Sequence, residues 1–277
     1  MRKIIPLNFD WFVAVHQEEH LEKVDLSTFE KISIPHHGIE IPFNHFNEKM
    51  LQTVLSYVRE LFIEADDEGK VIKLKFEGVA HEARVYVNSE FVFEHRGGYT
   101  PFDVDITNSC KYGEQNQIMV VVDSKEDTSI PPFGGVVDYL GYSGIYREVS
   151  LVITNKLFVK SVFVQTDGSS EFKVEVALSQ ANGELEMFVF NKKEKVFEVS
   201  NIKVYDTTMT IPASIKNPVL WSLDAPVMYD VVIRYKASDK LIDEVSHRFG
   251  IRSAVFKEDG IYLNGEKIKL LGLNRHQ

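Results

Sequence analysis

Short β-rich runs follow one another along almost the whole chain, each closed by turn residues, and this constrains the fold more than any other feature. Val71–Phe76 is one such run, Ala83–Val87 alternates apolar and polar residues, and Phe91–Phe93 follows an Asn88-Ser89 turn, as in a meandering antiparallel sheet. Gln117–Val122 is nearly continuously apolar, as expected of a strand buried between two packed layers, and Tyr146–Thr154 is similar. Residues 1–154 are therefore predicted to form a jelly-roll β-sandwich, two antiparallel sheets over one core.

After Asn155 a second series arrives at short, fairly regular intervals: Leu157–Gln165, Phe172–Leu178, Glu184–Phe190, Val196–Val204, Thr207–Ile211, Met228–Tyr235 and Asp243–Phe249. That spacing predicts a seven-strand sandwich of immunoglobulin-like size over 155–256, with Trp221, just before a strand, as a core residue. Helical signal is thin. Phe46–Leu61 has mixed apolar spacing, yet Tyr57–Ile63 reads equally well as a strand. In the last segment, 257–277, an Asn264-Gly265 hairpin turn leads into an alternating strand, Lys267–Leu273, that closes on Asn274, Arg275 and His276.

At 277 residues the chain can hold two ordinary domains, and 44% hydrophobic with 26% charged residues suits a globular protein. A net charge of -10 argues against a nucleic-acid partner, because phosphate backbones are bound through clustered Lys and Arg. A neutral ligand such as a sugar is compatible with it. The single cysteine, Cys110, cannot form an intrachain disulfide. Pro6, Asn8 and Asp10 interrupt any early apolar stretch, and no later run has membrane-spanning length, so no membrane partner and a cytoplasmic location are expected. An unpaired Lys267–Leu273 strand would offer hydrogen-bonding groups to a second chain, which leaves a homo-oligomer open.

The long loop Asp123–Gly144, with Pro131-Pro132-Phe133-Gly134-Gly135 at its centre, is of a length that is usually functional in a compact sandwich. Asp138 within it has two readings. Its carboxylate could bind sugar hydroxyls or a hard cation beside the flat faces of Tyr139 and Tyr142, or it could satisfy nearby backbone groups as a turn residue. His36, His37, His45, His81 and His95 have no companion cluster at metal-ligand spacing and read as surface or hydrogen-bonded structural histidines. Glu64–Glu68 reads as a solvated charged turn, since it lacks the ligand order of a calcium loop. No nucleophile elbow, phosphate loop or zinc-protease helix is present, and no pair of carboxylates can be singled out for glycoside hydrolysis.

Four stretches, in order, resemble one family. Phe76–Asn88 with Gly97–Thr107 is similar to the sugar-binding domain of glycoside hydrolase family 2, which contains the bacterial β-galactosidases and β-glucuronidases; Asp138–Val149 is similar to its loop and closing strand. Leu220–Tyr229 resembles its immunoglobulin-like domain, and Phe249–Arg252 with Gly260–Gln277 the passage into its catalytic barrel. The resemblance implies an all-β chain: a galactose-binding-like jelly roll, an immunoglobulin-like sandwich and, in 257–277, only the first strand of a truncated TIM barrel. It implies a retaining glycosidase, most like a β-galactosidase, whose two glutamates stand about 5 Å apart in a barrel of roughly 250 residues that this stretch does not contain. This stretch would thus carry no catalytic residue and no cofactor of its own, while the complete enzyme would use sodium and magnesium. Asp138 would contact the β-galactoside substrate and a bound sodium ion; His276, with Asn274 and Arg275, would line the same pocket. A free-standing carbohydrate-binding module and a β-glucuronidase parent are the alternatives.

Overall fold

The computed structural model describes residues 1–21, 24–40, 48–131 and 141–274, and these divide into two compact units. The first, Lys3–Ile153 in its described part, contains β1 (Lys3–Pro6), β2 (Trp11–Val15), β3 (Glu30–Ile32), β4 (Val54–Ile63), β5 (Val71–Phe76), β6 (Glu82–Val87), β7 (Glu90–Arg96), β8 (Phe102–Asp105), β9 (Glu114–Asp123) and β10 (Val149–Thr154). They form a four-stranded sheet ordered β1-β10-β5-β8, with β1–β10 and β5–β8 antiparallel, and a six-stranded sheet ordered β3-β2-β4-β9-β6-β7, antiparallel at each pairing. Alternate side chains of β5 (Ile72, Leu74, Phe76) and of β6 (Ala83, Val85, Val87) point into one shared core.

The unbroken apolar run in β9 has a physical reason. Ile118, Val120 and Val122 face the core between the sheets, while Met119 and Val121 face a second cluster with Val58, Phe29 and the half-buried Phe12, Leu21 and Leu26. Leu21, Val24, Leu26 and Phe29 thus cover the outer face of the six-stranded sheet, and both faces of β9 are dry.

The expected Glu64–Glu68 solvated turn holds for Glu64, Ala65, Asp66 and Glu68, which are exposed, and needs correction at Asp67. Asp67 is 1% exposed and takes Nζ of Lys3 at 2.8 Å and of Lys70 at 2.6 Å. Burial opposes its charge, but the two lysines outweigh that and hold its carboxyl below the ordinary carboxylate range. In the described part of the ambiguous Phe46–Leu61 stretch, a 3₁₀ turn at Glu48–Leu51 is followed by β4.

The second unit comprises Met1–Arg2 and Thr154–Asn274. It contains β11 (Val159–Thr166), β12 (Glu171–Leu178), β13 (Glu184–Asn191), β14 (Glu194–Lys203), β15 (Thr208–Ser214), β16 (Tyr229–Ala237) and β17 (Lys240–Phe249). These give sheets β11-β12-β15 and β14-β13-β16-β17, the seven-strand sandwich expected, around Val174, Val176, Met187, Val189, Val231 and Ile233. Trp221 is not in this core. It lies half-buried over Gly250, where any Cβ would come within 2.8 Å of the Trp221 Cβ and 3.0 Å of its ring, with the Arg252 guanidinium 4.8 Å from the ring centroid. The large rings of the core are instead Tyr229, Tyr235, Phe172 and Phe249.

A small three-stranded sheet closes the unit: β18 (Ala254–Lys257), β19 (Gly260–Leu263) and β20 (Glu266–Ile268). The Asn264-Gly265 turn between the last two adopts positive φ at both residues, as a two-residue hairpin demands. The expected strand Lys267–Leu273 pairs only as far as Ile268; 269–274 carry no regular structure, because β19 ends its pairing there. No TIM barrel is present among the described residues.

Candidate functional site

The loop singled out by the sequence leaves the first unit at the end of β9 and returns ahead of β10. Its middle, with Phe133, Asp138 and Tyr139, lies outside the described residues, as do His45, Arg275 and His276. Asn274 is described, and it is exposed in the irregular segment after β20. Of the four expected pocket side chains, Asn274 is thus the one that falls among the described residues.

What the structure does describe is how both stems of this loop are held, which decides whether a loop can present a side chain at a fixed place. On the outgoing stem, Asp127 accepts from the backbone N–H of Ser129 at 2.7 Å and from Nη2 of Arg96 at 2.5 Å. Ile130 is buried next to this turn. Hydrogen bonds from Ser129 come first, with Arg96 adding to them, and together they keep the Asp127 carboxyl below its ordinary range.

The returning stem is buried. Ser143 and Ile145 are fully buried, and the backbone N–H groups of Gly38 and His36 donate to their carbonyls at 3.1 and 2.8 Å. Ala80 bridges Gly144, its N–H donating to the Gly144 carbonyl at 3.1 Å, while Ser124 Oγ donates to the Ala80 carbonyl at 2.7 Å. Gly144 has φ +82°, and a Cβ there would meet the Tyr57 hydroxyl at 2.2 Å, so only glycine fits. Tyr57, fully buried on β4, lies with its hydroxyl 2.8 Å from Nδ1 of His36, and burial pushes its phenol upward.

His36 and His95 are hydrogen-bonded as expected, to the Tyr57 hydroxyl and the Gly97 carbonyl, whereas Nδ1 of His81 is buried with no hydrogen-bond partner among the described residues. Burial pulls His36 and His81 down, with Glu30 partly countering at His36 and Asp123 at His81. His95 is likewise lowered by burial and stacks on Phe102 with centroids 4.1 Å apart. Among the described residues, no three His, Cys, Asp or Glu side chains gather as a metal ion would require. Chemically the arrangement can hydrogen-bond hydroxyl groups and offer flat aromatic faces; it holds no described nucleophile beside a base.

A family model described as glycosyl hydrolases family 2, sugar binding domain, matches residues 12–155, and a second, glycosyl hydrolases family 2, matches 153–252. The chain belongs to glycosyl hydrolase family 2. Over its whole length this family 2 chain is 41% identical to a β-galactosidase of Thermoanaerobacterium thermosulfurigenes, of which it covers 41%. Over 80% of its length it is 32% identical to a β-glucuronidase of Bacteroides fragilis, covering 35% of that protein. A solved family 2 structure from Bacteroides cellulosilyticus aligns with 97% of the chain and 39% of its own, at a TM-score of 0.79 and 28% identity. The chain thus spans about two fifths of the length of the relatives it matches.

Several residues that hold the loop were beyond sequence reasoning. Tyr57, Ser124 and Gly38 contact its returning stem from 20 to more than 100 residues away, and no local pattern marks them. The adjacent Ser143-Gly144 pair did stand out in the resemblance, and the steric demand at Gly144 supplies its physical reason.

Proposed function

We propose that this chain is the non-catalytic front part of a retaining glycosidase acting on terminal β-galactosides, and that it contributes one wall of the sugar pocket. Asp138 is the proposed contact to the sugar and to a sodium ion, a hard cation that its carboxylate oxygens suit, and Asn274, Arg275 and His276 are the proposed lining. Sodium and magnesium belong to the complete enzyme in this reading. The observation that carries it is full-length similarity to a β-galactosidase of which the chain spans only 41%, leaving most of that relative's length unmatched.

The held stems of the Asp123–Gly144 loop support a positioned role for Asp138. A β-glucuronidase parent is the second reading, favoured by the 32% identical relative, since the groups that tell a carboxylate from a hydroxymethyl would fall largely in the unmatched part. Purified chain incubated with aryl β-galactoside and aryl β-glucuronide should turn over neither. A longer protein that continues past Gln277 with the length its relatives have should cleave the galactoside faster; preference for the glucuronide would move the reading to the alternative.

A further inference from the structure

Beside the returning stem, aromatic rings form a ladder. Tyr142 stacks on Tyr146 with centroids 4.3 Å apart and planes within 6°, and His37 meets Tyr142 edge-on at 6.4 Å. Tyr146 is fixed from below: its hydroxyl donates to the Gly98 carbonyl, and Gly78 leaves the clearance, since a Cβ there would come within 3.1 Å of the ring. The Arg147 guanidinium stands 5.3 Å from the Tyr146 centroid. Tyr142, the top of the stack, is nonetheless 47% exposed. A ring that merely filled a core would be covered, whereas this one is backed by a second ring and left open to solvent.

The polar side chain beside it, His37, supplies what a sugar needs. His37 Nδ1 lies 2.9 Å from the Ile39 carbonyl, so Nδ1 carries the proton and Nε2 is an acceptor for a hydroxyl. A flat apolar face with an acceptor at one edge matches a pyranose, which has an apolar C–H face and a rim of hydroxyls.

We propose that Tyr142, supported by Tyr146, is a stacking platform for one pyranose ring of a neutral glycoside, with His37 Nε2 accepting from one of its hydroxyls. This rests on the glycoside reading above, but the platform is confined to described residues of the first unit and does not use Asp138. The test is lactose titration of the 277-residue chain, read by NMR of labelled tyrosine rings. Saturable shifts of the Tyr142 and Tyr146 rings are expected, with affinity about tenfold weaker in Tyr142→Ala and nearly unchanged in Tyr142→Phe. Absence of lactose-dependent shifts in the unmodified chain, or equal affinity in Tyr142→Ala, would overturn the platform. Methyl β-glucuronide binding more tightly than lactose, with the same loss in Tyr142→Ala, would uphold the platform while counting against a galactoside parent.

Discussion

At the scale of single residues, charge burial is the dominant risk in the first unit. Asp67 is buried and depends on Lys3 and Lys70, so Asp67→Asn should leave two ammonium groups without their partner and cost about 2 kcal/mol in urea unfolding, less than a fully dry pair because both lysines reach solvent. The pH dependence follows. The folded carboxyl titrates below its unfolded value, so its stabilisation is present above the unfolded pKa and is lost as pH falls through the folded one. His36, His81 and His95 act in the same direction at higher pH: burial lowers each, the unfolded chain binds more protons below about pH 6.5, and stability is lost as pH falls from there. Urea midpoints measured from pH 8 to 4 should therefore decline, and His36→Gln should flatten the upper part of the slope; an unchanged slope would remove His36 from the account.

At the scale of elements, the returning stem and the terminal hairpin are the vulnerable parts. Gly144→Ala forces a Cβ into the Tyr57 hydroxyl and a strained positive φ, and should cost about 3 kcal/mol, with the Ala80 bridge lost from hydrogen exchange. In the terminal sheet, Asn264 takes the Ser253 N–H on its side chain and gives Nδ2 to the Trp221 carbonyl at 2.9 Å. Asn264→Gly should keep the turn, while Asn264→Val, β-branched at φ +52°, should melt β19–β20; circular dichroism and exchange on both variants check this. Strand boundaries show the same division of labour. β5 begins and ends where its sequence run does, whereas the Tyr146–Thr154 run becomes strand only at Val149, because Tyr146 is taken up by its stack with Tyr142 and its bond to Gly98.

At the scale of the molecule, each unit has its own core, and the last sheet has almost none. Val255 and Phe256 on β18, and Leu270, Leu271 and Leu273 beyond β20, are exposed. Hydrogen exchange should thus be slowest in β4 and β9 of the first unit and in β13 and β16 of the second, with β18–β20 far faster. Equal protection in β18–β20 would mean that something covers them.

The sequence alone was enough for the all-β class, two sandwiches, the seven strands of the second and the hairpin at Asn264-Gly265, because alternation and turn chemistry are local properties written into neighbouring residues. It was also enough for family 2, through motifs in order along the chain. Only the tertiary structure decided that Asp67 is buried, that Trp221 caps Gly250 rather than filling the core, and that Tyr57 excludes any side chain at Gly144. Each of those depends on residues distant in sequence meeting in space, and burial, sterics and the dielectric around a charge are set by that meeting and by no local pattern.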